Sequence, residues 1–247
     1  MTLLIAFLVL LPPVVGGAEE VVVAVASNFA PVAEGLAEDF AASTEHEITL
    51  VAGSTGKLYA QIVRGAPFDV FLAADTARPE RLVADGRAIP DARRVYAVGR
   101  LVLWGGAREG ATQVGPELLS GGTFRHLAIA NPALAPYGVA AREVLQALEL
   151  DAVLADRLVF GENIGQTFAL VASGNAELGL VAQAQVIGDP ARRAAAWLVP
   201  ARHHAPIRQE GVLLARAAEK PSARAFLDYL ATDEAKRAIE AAGYEVP

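Results

Sequence analysis

The chain has 247 residues, of which 53% are hydrophobic and 20% charged, with a formal net charge of −7 and no cysteine. That length and composition suit a folded α/β protein of two domains and exclude a disordered chain. Disulfides, zinc–thiolate sites and a cysteine nucleophile are excluded outright, and a chain this acidic, with no basic run, lacks the positive face that nucleic-acid binding requires.

Residues 2–15 are almost wholly apolar and are followed by Gly16-Gly17-Ala18, the pattern of a signal-peptide core with a small-residue cleavage site. Pro12-Pro13 interrupts the run, which is shorter than the roughly 20 apolar residues that span a membrane. No Lys or Arg precedes it, so the recorded start can lie downstream of the true one. The expectation is a signal peptide over residues 1–18 and an exported protein whose mature chain starts near Glu19.

Residues 20–26 read as a buried strand, carrying Val21, Val22, Val23 and Val25. Ser27-Asn28 follows, then a helix over 30–42 with Pro31 in its first turn and Ser27 or Asn28 as its cap. A second strand, 48–51, leads into Gly53-Ser54-Thr55-Gly56 and a helix that turns Leu58 and Ile62 inward. Strand, Gly/Ser/Thr turn and helix start together make an anion cradle. Glycine admits close backbone approach, the hydroxyls donate, and the first helical N–H groups have no partner of their own. Lys57 reads as a solvated lysine of that first turn. A turn at 65–67, a strand over 68–73 and a helix capped by Asp75-Thr76 and running through 79–84 complete a β-α-β-α-β-α unit over 20–86.

Residues 94–104 form a long strand-like run, able to pass from one domain to another. A Gly-rich loop with a short helix occupies 107–122, and a strand at 127–130 leads through a turn to a helix over 139–148, with Tyr137 at its mouth. Then come a short strand at 158–160, a turn at 161–165, a helix over 166–172, a strand at 178–181 and a helix to about residue 187 that Asp189-Pro190 breaks. A strand at 197–199, a polar connection over 200–208, a returning strand at 211–215 and helices at 221–231 and 233–241 close the chain.

Three stretches carry a family likeness: Ala24-Val25-Ala26-Ser27-Asn28-Phe29, residues 52–62, and the run from Arg64-Gly65-Ala66-Pro67 to Asp75. Together with 131–139, 161–166 and 173–181, they resemble the periplasmic molybdate-binding proteins of ABC importers, over residues 20–247. The resemblance implies the type II periplasmic-binding fold, two α/β domains joined by crossing strands with the ligand in the cleft. On this chain it implies a first domain of 19–97 plus 203–247 and a second of 98–202. It implies a tetrahedral oxyanion, molybdate or tungstate, held by Ser27, Asn28 and Thr55 of the first domain and by Tyr137 and the Ile164 backbone N–H of the second. No cofactor, no direct metal ligand and no catalysis are expected. The implied partner is the membrane permease of an ABC importer, and the binding protein is expected to be a periplasmic monomer. In one respect the chain departs from the pattern. Some members place a tyrosine hydroxyl where Ala182 stands here, and Tyr137 is expected to replace it from the opposite turn.

Rival readings find less support. Gly53-Ser54-Thr55-Gly56-Lys57 has two residues between its glycines where a nucleotide-binding P-loop has four, and Leu58 follows the lysine. The histidines, His46, His126, His203 and His204, keep no metal-ligand spacing, and no Gly-x-Ser-x-Gly elbow supports a hydrolase. All four read as surface or hinge residues. A ferric-ion site would want clustered tyrosines, and Tyr59, Tyr96, Tyr137, Tyr229 and Tyr244 are scattered along the chain. Sulfate, thiosulfate and phosphate remain alternatives on the same fold.

Overall fold

The computed structural model describes residues 18–106 and 114–247. The signal-peptide expectation for 1–18 and part of the Gly-rich loop at 107–122 therefore lie outside the described residues, apart from Ala18 and residues 114–122.

Two five-stranded sheets carry the molecule. The chain runs β1 (Glu20–Ala26), α1 (Ala30–Thr44), β2 (Glu47–Gly53), α2 (Thr55–Val63), β3 (Val70–Ala73), α3 (Ala77–Ala84) and β4 (Ala88–Gly99). It then crosses to β5 (Leu101–Trp104), α4 (Glu117–Gly121), β6 (Leu127–Ala130), α5 (Pro136–Ala147), β7 (Leu158–Gly161), α6 (Ile164–Ala172), β8 (Leu178–Ala182), α7 (Pro190–Ala194) and β9 (Ala196–Leu198). It returns with β10 (Ile207–Leu214), α8 (Pro221–Tyr229) and α9 (Asp233–Ala241). The first sheet has the order β2-β1-β3-β10-β4 and the second β7-β6-β8-β5-β9.

In both sheets the strands that lead into the cleft are parallel: β2, β1 and β3 in the first, β7, β6 and β8 in the second. Helices cover both faces, which is why β1 reads as a near-continuous valine run and not as an alternating one. Val21, Val23 and Val25 pack with Phe29, Leu36 and Phe40 of the α1 segment and with Phe226 of α8. Ala24 points the other way, to Leu58, Ile62 and Leu82. In the second domain Leu103, Leu127, Ile129, Val144, Leu145 and Leu180 form the matching core.

The β-α-β-α-β-α reading of 20–86 stands. The long run at 94–104 is two strands, because the chain changes sheets at Arg100. The returning strand begins at Ile207 instead of 211, so the last two residues of the expected polar connection, Ile207 and Arg208, are strand, and Gln209 and Glu210 after them are buried. Asp189-Pro190 opens a helix as well as ending the turn before it, since the Asp189 carboxylate accepts from the N–H groups of Ala191 and Arg192. Neither Ser27 nor Asn28 caps α1 through its side chain; Phe29 occupies that position, and the Asn28 amide has other partners, described below.

At the head of β8, Glu177 accepts from the His126 backbone N–H at 2.9 Å and from Arg125 Nε at 3.2 Å. Burial alone would raise the pKa of this carboxyl, but these hydrogen bonds outweigh it and hold it down to about 2. A depressed carboxyl stabilises the fold above its unfolded-state pKa and loses that effect as pH falls through its folded value. Wild type should therefore be more stable than Glu177→Gln at neutral pH, with the gap closing between about pH 4.5 and about pH 2. Urea denaturation of both proteins across that range checks this, and a gap that does not change with pH contradicts it.

Candidate functional site

Four helix starts meet between the sheets. β1 ends at Ala26, β2 at Gly53, β6 at Ala130 and β7 at Gly161, and the helices that follow begin at Ala30, Thr55, Pro136 and Ile164. A cavity of about 10 Å³ lies where they converge, lined by Ser27, Asn28, Ser54, Thr55, Ala74, Pro136, Tyr137, Asn163 and Ile164 among others. Ser27-Asn28, Thr55, Tyr137 and Ile164, from four separate stretches of sequence and both domains, share this one wall. The position follows a general rule of open α/β sheets: ligands sit beyond the carboxyl ends of the parallel strands. Each helix start also contributes the positive end of its dipole.

No lining residue carries a charge. Among the described residues, the backbone N–H groups of Asn28, Thr55 and Ile164 have no hydrogen-bond partner. The Thr55 hydroxyl oxygen accepts from the Ala74 N–H at 3.1 Å, which leaves its proton to donate. Ser27 Oγ accepts from the Gly165 N–H of α6 at 3.3 Å, so a first-domain oxygen rests on a second-domain helix start. Ser54 Oγ caps α2 through the Lys57 N–H, and Asn163 Oδ1 caps α6 through the Gln166 N–H. Each of these oxygens is thereby engaged as a helix cap, beside the hydroxyl and N–H donors of the wall.

The two sheets close tightly on this point. The Gly56 N–H donates to the Leu134 carbonyl across the cleft at 2.8 Å. Lys57 Nζ reaches Glu162 of the opposite domain at 2.6 Å, so Lys57 is a surface strap and not a lone solvated lysine. Both partners of that pair are well exposed, and pairs of this kind contribute little. A wider groove of about 240 Å³, lined by Asp75, Arg78, Glu143, Pro206 and Arg208, abuts the cavity and shares Ala74 and Pro136 with it. The cavity itself holds about one water. A five-atom anion therefore enters by parting the domains.

Beneath the cavity lies a buried polar cluster that the sequence did not reveal. Asn28 Nδ2 donates to Gln209 Oε1 at 2.8 Å and to the Tyr244 hydroxyl at 3.1 Å, and that hydroxyl donates to the Asn28 carbonyl at 2.7 Å. The Tyr96 hydroxyl lies 3.1 Å from both the Ala73 carbonyl and Gln209 Oε1. Gln209 Nε2 donates to the Tyr137 hydroxyl at 3.5 Å. Three of the tyrosines that look scattered in the sequence thus converge. Burial, reinforced by their neighbours, pushes the hydroxyls of Tyr96 and Tyr137 well up from the usual phenol value, and burial also raises Tyr244. Burial thus keeps these hydroxyls protonated, able to donate as well as accept within the cluster. Of the histidines only His204 is buried; it sits beside the second crossing, with Nδ1 2.7 Å from the Ala205 carbonyl.

Residues 21–245 match a family of bacterial extracellular solute-binding proteins. The chain is 43% identical to the molybdate-binding protein ModA of Rhodobacter capsulatus, over 92% of this chain and 88% of that one. It is 44% identical to ModA of Azotobacter vinelandii, over 92% and 90%. The chain belongs to the ModA family. The solved structure of the Azotobacter vinelandii periplasmic molybdate-binding protein superposes with a TM-score of 0.87 at 41% identity, covering 92% of this chain and 99% of that one. A sulfate-binding protein of Mycobacterium tuberculosis, SubI, shares the fold alone, at a TM-score of 0.73 and 14% identity over 93% and 87%. The ModA relatives are binding proteins, not enzymes.

Closure leaves no room at Gly56. A Cβ there would stand 2.9 Å from the Leu134 carbonyl oxygen and 3.2 Å from its Cα, both main-chain atoms of the opposite domain. Gly56→Ala should prop the cleft open, seen as a larger radius of gyration by small-angle scattering and a folded circular-dichroism spectrum. An unchanged radius would show that the contact does not limit closure.

Proposed function

We propose that this protein captures molybdate, and tungstate with it, between its two domains and delivers it to the membrane permease of an ABC importer. The observation that carries the reading is the cavity wall: hydroxyl and N–H donors from four helix starts of two domains, with no charged side chain among them. Ser27, Asn28, Thr55, Tyr137 and Ile164 are the ligand residues, through the hydroxyls of Ser27, Thr55 and Tyr137 and the backbone N–H groups of Asn28 and Ile164. The names of the relatives at 43% and 44% identity agree with this ligand. The sheet change at Arg100 and the gap between β9 and β10 support a division of the chain into two domains, with the first boundary two residues beyond the expected 97/98 and the second within the gap that holds 202/203. The protein acts as a periplasmic monomer after removal of residues 1–18, and it needs no cofactor.

Neutral donors are sufficient. Hydrogen bonds to charged oxygen contribute roughly 1.5–3 kcal/mol each, and helix ends roughly 0.3–1 kcal/mol apiece. About seven such bonds stabilise the complex by on the order of 10–20 kcal/mol before the cost of lost freedom and closure. Affinity between micromolar and nanomolar needs roughly 8–12 kcal/mol. A wall of donors also selects on protonation. Phosphate keeps a proton at neutral pH and would leave it unpaired here, whereas molybdate, tungstate and sulfate carry none. Sulfate is the smaller anion, and the span of the closed cleft must reject it.

Calorimetry of the mature protein with molybdate, tungstate, sulfate and phosphate tests this reading. The expected order is molybdate and tungstate bound tightly, sulfate weakly and phosphate most weakly. Thr55→Ala and Tyr137→Phe should each weaken molybdate about 10- to 100-fold, the worth of one hydrogen bond to charged oxygen. Binding of sulfate or phosphate without molybdate would refute the ligand, and two variants that bind like wild type would refute the residue assignment.

A further inference from the structure

The cluster beneath the cavity has a direction. The Asn28 carbonyl oxygen can only accept, so the Tyr244 proton is committed to it at 2.7 Å. The Tyr244 oxygen must then accept from the Asn28 side chain at 3.1 Å, which places Nδ2 there. The same Nδ2 lies 2.8 Å from the Gln209 amide, whose facing atom must therefore be Oε1. The donor end, Nε2, is left pointing at the Tyr137 hydroxyl. A hydroxyl that accepts on one side turns its proton to another, and the Tyr137 residue lines the cavity. That proton faces the neutral Tyr244 oxygen in this structure, and the oxygen of an anion bound in the cavity would compete for it. Hydrogen bonds to a charged oxygen are roughly twice as strong as neutral ones.

Gln209 is placed to do this for both domains at once. It is fully buried at the start of β10, paired with Ala97 beside the first crossing. Its Oε1 end holds first-domain groups, Asn28 and Tyr96, and its Nε2 end meets second-domain Tyr137. Room for the arrangement comes from Gly99, the last residue of β4: a Cβ there would lie 2.1 Å from the Tyr137 hydroxyl and 2.9 Å from Gln209 Nε2.

We propose that Gln209 is a positioning residue of the anion site: its amide, oriented from the Asn28 carbonyl, turns the Tyr137 proton toward the bound oxyanion and so biases the cleft toward an oxyanion that carries no proton of its own. Without the glutamine, the Tyr137 hydroxyl is free to rotate and offer a lone pair, which an oxyanion bearing a proton can use. The inference rests on the oxyanion reading above and adds a residue with no contact to the ligand.

A double-mutant cycle with Tyr137 tests it, since a residue that acts through Tyr137 has little left to lose once the hydroxyl is gone. Molybdate and phosphate affinities are measured by calorimetry for wild type, Gln209→Met, Tyr137→Phe and the double variant. Gln209→Met is expected to weaken molybdate about tenfold in the wild-type background and less than about threefold beside Tyr137→Phe. It is also expected to lower the molybdate-over-phosphate ratio. Equal losses in both backgrounds, or no loss in either, overturn the proposal, because a packing role alone would weaken binding whether or not the hydroxyl is present. Should Gln209→Met fail to fold, nitrogen-labelled wild type decides: the Gln209 side-chain amide signals should move on addition of molybdate, and that movement should vanish in Tyr137→Phe. Signals that stay still in wild type overturn it equally. Failure of wild type to bind any oxyanion removes the ligand reading itself, whereas binding by wild type with additive losses removes only the role of Gln209.

Discussion

An α-helix cannot satisfy its own first N–H groups, and the structure turns four such helix starts onto one point. Everything at the cleft depends on that convergence. Parallel strands put the helix starts at one edge of each sheet, the two crossings put those edges face to face, and the unpaired groups of Asn28, Thr55 and Ile164 gather at the wall. A site of this kind needs no cation. The field of aligned peptide dipoles is local, so the net charge of −7 on the chain does not oppose it.

The same edge-to-edge arrangement accounts for how the domains close. Contacts across the cleft include the main-chain bond from Gly56 to Leu134, the Ser27-to-Gly165 bond, the long Gln209-to-Tyr137 bond and one exposed ion pair. None of these is large in energy. A lightly held closure suits a binding protein, because differential affinity for the closed state is what a ligand uses to shift the balance.

Burying Asn28, Tyr96, Tyr137, Gln209 and Tyr244 together costs stability unless each polar group finds a partner. Here the partners are mutual, and the acceptor-only carbonyls of Asn28 and Ala73 set the direction of the chain of donors. The C-terminal segment is tied into the same region: Val98 and Glu245 exchange both backbone hydrogen bonds, and Arg100 pairs with Glu245. First crossing, second crossing and chain end thus meet directly behind the ligand wall. In this fold the two crossings and the candidate site adjoin.

Much of this was legible along the chain. The valine run of β1, the Gly-Ser-Thr-Gly turn before Leu58 and Ile62, and the β-α-β-α-β-α order of 20–86 follow from local periodicity and turn chemistry, which act over a few residues. So did the hydroxyl and N–H character of the five wall residues, because a strand–turn–helix boundary exposes donors wherever it falls. Other features were not legible, since they join residues more than a hundred positions apart. Asn28 looked like a helix cap and is an anchor for Gln209 and Tyr244. Gln209, which fell between the expected polar connection and the expected returning strand, is buried strand. The tyrosines looked scattered and are a cluster. The sequence by itself determined which turns could hold an anion. Only the tertiary structure decided that those turns converge on one cavity, and which way the buried amides face, because both depend on which strand ends the two crossings bring into contact.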